Sequence, residues 1–114
     1  ERTPRADPEM SEALESSLRR LGVKTLRGGA WTTDAPFRET VGKVRRYSSL
    51  GALAVEMECS ALMAVAEFRG VRLAAGLAIT DELFEGVWRP RFSAPEVDRA
   101  RTALARAAVE VLVR

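Results

Sequence analysis

Three carboxylates stand at the ends of apolar stretches in this 114-residue sequence. Glu56 and Glu58 interrupt ALAVEMECSALMAVAEF, and Asp81 follows VRLAAGLAIT. If the chain stays extended through Val55-Glu56-Met57-Glu58, the two glutamates are i and i+2 and point to one side. Paired carboxylates at a strand end can accept both protons of a vicinal diol, because an ionised carboxylate only accepts and charge-assisted bonds are strong. The plainer reading has Glu58 favouring a helix start electrostatically, with Glu56 in solvent. Asp81 can likewise cap or turn the chain. Trp31 lies among Gly, Thr and Asp, where its ring can stack on a planar ligand or cover a core edge. Arg89 and Arg91, in WRPRF, can pair with an anion or remain ordinary surface charges. On the residues alone, both readings of each stand.

Other chemistries are excluded more firmly. The chain has no histidine, so it offers neither a His-based triad nor His-ligated metal. Cys59 is the single cysteine, so no intramolecular disulfide forms, and its apolar surroundings suit packing better than nucleophilic attack. Lys and Arg outnumber Asp and Glu by 18 to 16, and no aromatic-interleaved basic stripe accompanies them, so nucleic acid is not an expected partner. No apolar run approaches the ~20 residues of a membrane helix, and nothing resembles a signal peptide. A cytoplasmic protein without membrane contact is expected. Residue 1 is Glu rather than Met, which raises the expectation of a chain start other than the translation start.

The elements that must position these residues alternate. Asp7-Pro8 marks a helix start, and Met10, Ala13, Leu14, Ser17, Leu18 and Leu21 recur at helical spacing before Gly22. Residues 23–26 are predicted as a short strand, and RGGAWTTDAPF as a loop. A helix is predicted over 38–48, a buried strand over 52–55, and a helix over 58–68 closed by Gly70. That last helix is apolar nearly all round, so it should be covered on most sides. The run 71–80 reads as an interior strand, DELFEGVWRPRFSAP as a loop, and 96–114 as a final helix. The alternation predicts a single α/β domain over residues 1–114, with a largely parallel or mixed sheet flanked by helices. A chain this short buries only roughly two-thirds of its surface, enough for one modest core. In such sheets ligands bind beyond the carboxyl ends of the strands, where the three acids fall.

Taken together, the segments resemble the carboxyl-terminal half of the purine nucleoside and uridine phosphorylase family of trimeric or hexameric type. LAVEMECSALMAVAEFRGV resembles that family's V-E-M-E segment and small-residue helix. AWTTDAPFRE is similar to its aromatic–Ser/Thr–x–Asp–x–Phe/Tyr stretch, and AITDEL to its strand ending in Ser/Thr-Asp. The resemblance implies a partial phosphorylase-like fold lacking the first strands. It implies ribose binding by Glu56, Met57 and Glu58, with Glu58 accepting from the hydroxyls and Met57 beneath the sugar. It places Trp31, Thr32, Thr80 and Asp81 at the base. Asp81 would assist departure of a purine by protonating or hydrogen-bonding its ring nitrogen. Acting as a proton donor at neutral pH requires desolvation or a nearby like charge, for which Glu82 and bound substrate are candidates.

The implied reaction is phosphorolysis of a ribonucleoside, purine favoured over uridine, giving base and ribose 1-phosphate. Inorganic phosphate is the co-substrate, and no cofactor or metal is expected. The pattern is incomplete: nothing corresponds to the family's glycine-containing phosphate loop with its arginines, or to the histidine that reaches the ribose 5′-hydroxyl. The expectation is therefore part of a longer enzyme, inactive alone, or a shortened relative that has lost the activity. A hydrolytic nucleosidase and a non-catalytic nucleoside-binding or assembly domain are the alternatives. Exposed strand edges would favour a homo-oligomer, or association with an absent amino-terminal half.

Overall fold

A computed structural model describes residues 3–34, 40–84, 87–90 and 94–113; at 83, 84 and 87–89 it describes the backbone only. The α/β expectation holds. In chain order the helices are α1 (Pro8–Arg20), α2 (Val41–Ser49), α3 (Cys59–Arg69) and α4 (Pro95–Leu112). The strands are β1 (Gly29–Thr32), β2 (Ala52–Glu56), β3 (Asp81–Phe84) and β4 (Val87–Pro90). The chain divides into two compact units, one of residues 1–6 and 26–73 and the other of 7–25 and 74–114.

The first unit is built on a β-α-β segment. Strands β1 and β2 lie parallel, with α2 between them in sequence. The register sets Ala30 beside Ala54, Trp31 beside Val55 and Thr32 beside Glu56, and the Thr33 N–H extends the ladder to the Glu56 carbonyl at 2.8 Å. Within the loop expected at RGGAWTTDAPF, residues 29–32 are thus a strand. Just before it, Gly28 lies close to the Leu53 side chain of β2, which would have to shift to admit a Cβ there. Thr40 caps α2 by accepting from the Lys43 N–H at 3.2 Å, so this helix starts later than the predicted residue 38. Positions 38 and 39 lie outside the described residues.

Helix α3 follows β2 after a two-residue bend and ends at Gly70, whose φ of 68° favours a residue without a Cβ. It lies against β1. Covering on most sides does not occur: Ala66 is its one buried residue, while Leu62, Val65 and Phe68 are exposed by 54, 58 and 84%. The strand before it is half-buried, with Leu53 exposed.

The second unit rests on α1 packed against α4. Asp7 caps α1 by accepting from the Met10 N–H at 2.8 Å, and Pro8 takes the first helical position, where no N–H is needed. At the other end the Gly22 and Val23 N–H groups return to the Arg19 and Leu18 carbonyls, both at 3.0 Å. That closure explains why residues 23–26 are not a strand: the Val23 N–H is already committed, and its side chain packs against the helix pair. Leu18, Ala103 and Ala107 form the core, bordered by Leu14, Leu21 and Leu104. The alanines let the helices approach, and each buried leucine contributes about 1.5–3 kcal/mol.

Residues 71–80 form no strand. A strand interior needs ladder partners, and among the described residues none pairs with this run. Gly76 instead brings the backbone close to Leu104 and Leu14. The loop expected after it is an antiparallel pair, β3 with β4. Pro90 falls at the end of that ladder, opposite Asp81, where its missing N–H does least harm. The last helix starts at Pro95, close to expectation. No helix among the described residues is long and apolar enough to cross a membrane.

Candidate functional site

The strand–helix junction at residues 56–60 holds the densest polar network described in the chain. Strand pairing places Thr32 directly beside Glu56. The Thr32 hydroxyl donates to Glu56 Oε1. Glu56 Oε2 accepts from the Glu58 and Cys59 N–H groups at 2.6 and 2.7 Å. Thr32 Oγ1 in turn accepts from the Ser60 N–H at 3.0 Å. Three successive N–H groups at the start of α3, which have no acceptor within the helix, are thereby satisfied by two side chains.

This arrangement corrects the plainer sequence reading at Glu56. Glu56, expected in solvent, is half-buried and serves the helix start, whereas Glu58 occupies the cap position with no side-chain capping bond and is exposed. The chain is not extended through 58 either. It bends at Met57 and Glu58, so strand alternation does not align the two carboxylates.

Desolvation pushes the Glu56 carboxyl up, but the bonds from Thr32, Cys59 and Glu58 together outweigh it and leave its pKa below the ordinary 4.5. A depressed carboxyl pKa contributes stability above the unfolded value, and that contribution is lost as the pH falls through the folded one. Thermal denaturation should therefore show wild type more stable than Glu56→Gln at neutral pH. The gap should close on acidification below about pH 4.5, the ordinary carboxyl value. A gap independent of pH would mean that the charge on Glu56 does not matter to the fold.

The same surroundings act oppositely on Cys59. Burial, a hydrogen bond to Glu56, and the charges of Glu56 and Glu58 raise its thiol to about 11. It is protonated at neutral pH and a poor nucleophile, consistent with a packing role.

Trp31 sits on β1, half-buried, not in a loop. Its ring stacks on Tyr47 of α2 with centroids 4.7 Å apart and planes 23° from parallel. Sequence reading missed Tyr47, because a contact between α2 and a residue of β1 leaves no mark in the sequence around either. Met57 is 45% exposed beside the junction. Thus Trp31, Thr32, Glu56, Met57 and Glu58 all belong to the first unit. Thr80 and Asp81 belong to the second, where the Thr80 hydroxyl donates to Asp81 Oδ1 at 2.9 Å and Asp81 is half-buried at the head of β3. Arg91 and the Arg89 side chain lie outside the description, as does the 35–39 part of the AWTTDAPFRE stretch. An open cleft of about 590 Å³ in the second unit, lined by Leu21, Val23, Arg99, Ala103 and Arg106 among others, contains none of the expected site residues.

The sequence is similar to known proteins in the same sense. A family profile described as "Phosphorylase superfamily" matches residues 1–113. A DeoD-type purine nucleoside phosphorylase of Bacillus cereus is 35% identical over 65 residues, covering 57% of this chain and 28% of the relative. Proteins of the same description from Bacillus thuringiensis and Bacillus mycoides match with the same identity and coverage. The matched stretch thus spans little more than a quarter of those relatives' length.

Proposed function

The chain belongs to the phosphorylase superfamily, and from that premise we propose that it forms the ribose- and base-facing part of a purine nucleoside phosphorylase. The observation that carries the reading is the exposed Glu58 carboxylate at the end of β2, uncommitted to capping while its neighbour Glu56 is fully engaged. A ribose diol presents two O–H donors, and a fixed, acceptor-only carboxylate is their natural complement. Met57, exposed beside it, supplies an apolar surface for the sugar. Trp31 serves the base.

In the reaction, a phosphate oxygen bonds to the ribose anomeric carbon as the bond to the base nitrogen breaks. The electron pair leaves with the base, which takes a proton. Positive charge grows on the sugar and negative charge on the purine, so Glu58 stabilises the first and Asp81 the second. Inorganic phosphate is the co-substrate, held by residues not identified in this chain, and no cofactor takes part. Association with a second copy or with further polypeptide of the same fold belongs to this reading, because Leu62, Val65 and Phe68 leave α3 with an exposed apolar surface. The working compartment is the cytoplasm.

Calorimetric titration with inosine, adenosine, uridine and hypoxanthine tests the proposal. Saturable heat with the purine ribonucleosides, exceeding that with uridine, is expected. No heat with any of the four overturns it.

A further inference from the structure

The β2–α3 junction contains two glutamates that the chain treats differently, and the difference assigns a role to a third residue. Glu56 accepts from the Thr32 hydroxyl and from the Glu58 and Cys59 N–H groups, while Thr32 accepts from the Ser60 N–H. A carboxylate has about four acceptor positions, and the three bonds to Glu56, with a fourth from the Cys59 thiol, take them up. Little capacity is left for a sugar. The same bonds pin the Glu58 peptide itself, and with it the backbone that fixes where the Glu58 carboxylate emerges.

We propose that Thr32 and Glu56 are positioning residues, a hydroxyl–carboxylate lock across the two parallel strands that aims Glu58 at the ribose, and that neither contacts the nucleoside directly. The inference rests on the nucleoside-binding reading above and changes the expected roles of both residues: Glu56 is withdrawn from the sugar and Thr32 from the base. The lock joins residues 24 apart in sequence, so it forms only when β1 and β2 have paired. Misplacing a binding group by about 1 Å is enough to lose a large part of its contribution.

The test compares Thr32→Val, Thr32→Ser and Glu58→Ala in the full 114-residue chain, with inosine and hypoxanthine as probes and amide hydrogen exchange as a second readout. Thr32→Val keeps the side-chain shape and removes the hydroxyl. It should weaken inosine binding about tenfold and hypoxanthine binding less than about twofold, as expected for loss of positioning at the sugar alone. Exchange at the Glu58, Cys59 and Ser60 amides should accelerate, and Thr32→Ser should restore both properties. In a Glu58→Ala background, Thr32→Val should leave the residual inosine affinity unchanged, because its effect passes through Glu58. Glu56→Gln retains one acceptor oxygen and should give an intermediate loss, which serves if Thr32→Val does not fold. Equal weakening of inosine and hypoxanthine by Thr32→Val would mean direct contact with the base and overturns the lock. Full inosine affinity in Thr32→Val, with Glu58→Ala still disruptive, overturns the lock but leaves the functional reading standing. Unchanged inosine affinity in Glu58→Ala overturns both.

Discussion

Glu58→Ala should lower the affinity for purine ribonucleosides by roughly two orders of magnitude while leaving the free base bound within about threefold, since a hydrogen bond to a charged group contributes about 1.5–3 kcal/mol and two are lost. The size of the effect follows from what the side chain does not do in the fold. It is exposed and makes no capping bond, so its removal strips no internal partner from α3. The acceptors of the helix start are Glu56 and Thr32, and both remain. Thermal stability should accordingly change little. A 2′-deoxyribonucleoside offers one donor fewer, so the gap between wild type and variant should narrow with that ligand. Parallel losses for nucleoside and base, measured by calorimetry, would place Glu58 away from the sugar.

Asp81→Asn should slow purine phosphorolysis in an enzyme carrying this chain by about 10²–10³-fold with KM nearly unchanged, as expected of an acid whose proton is needed only as the glycosidic bond breaks. Asn preserves the shape and one acceptor oxygen, so the Thr80 hydroxyl keeps its partner and the head of β3 should hold. Uridine turnover should suffer far less, because the proton assigned to Asp81 goes to a purine ring nitrogen. Steady-state kinetics with inosine and uridine decide the matter. Equal losses in turnover and binding would make Asp81 a binding group, and equal losses for both nucleosides would remove the purine-specific role. Glu58→Ala and Asp81→Asn thus separate the two proposed roles, the first read in sugar affinity and the second in rate.

Much of the local structure was legible because it is encoded within a few residues. Asp7-Pro8 starts a helix and Gly22 closes it, each through bonds spanning one turn. Gly70 ends α3 for the same reason. Residues 52–55 lie within β2 as expected, and Glu56-Met57-Glu58 stands at the strand's carboxyl end.

What misled was apolarity without a partner. Residues 71–80 have a strand's composition, but strand formation also requires neighbouring N–H and C=O groups, which composition cannot supply. Conversely, RGGAWTTDAPF reads as a loop, yet residues 29–32 find ladder partners in β2 that the local sequence does not reveal. The pairing of 81–84 with 87–90 was not read from DELFEGVWRPRFSAP, and Pro90 is harmless at the end of that ladder.

By itself, then, the sequence determined where α1 begins and where α1 and α3 stop, since caps are written in residue type and short spacing, and it offered acids whose nucleoside-facing roles only the family resemblance implied. Only the tertiary structure decided which glutamate would be used up internally. Strand pairing brings Thr32 across to Glu56, and a hydrogen bond between residues 24 apart leaves no periodic trace in either segment. Glu58 remains available because its neighbour already satisfies the helix.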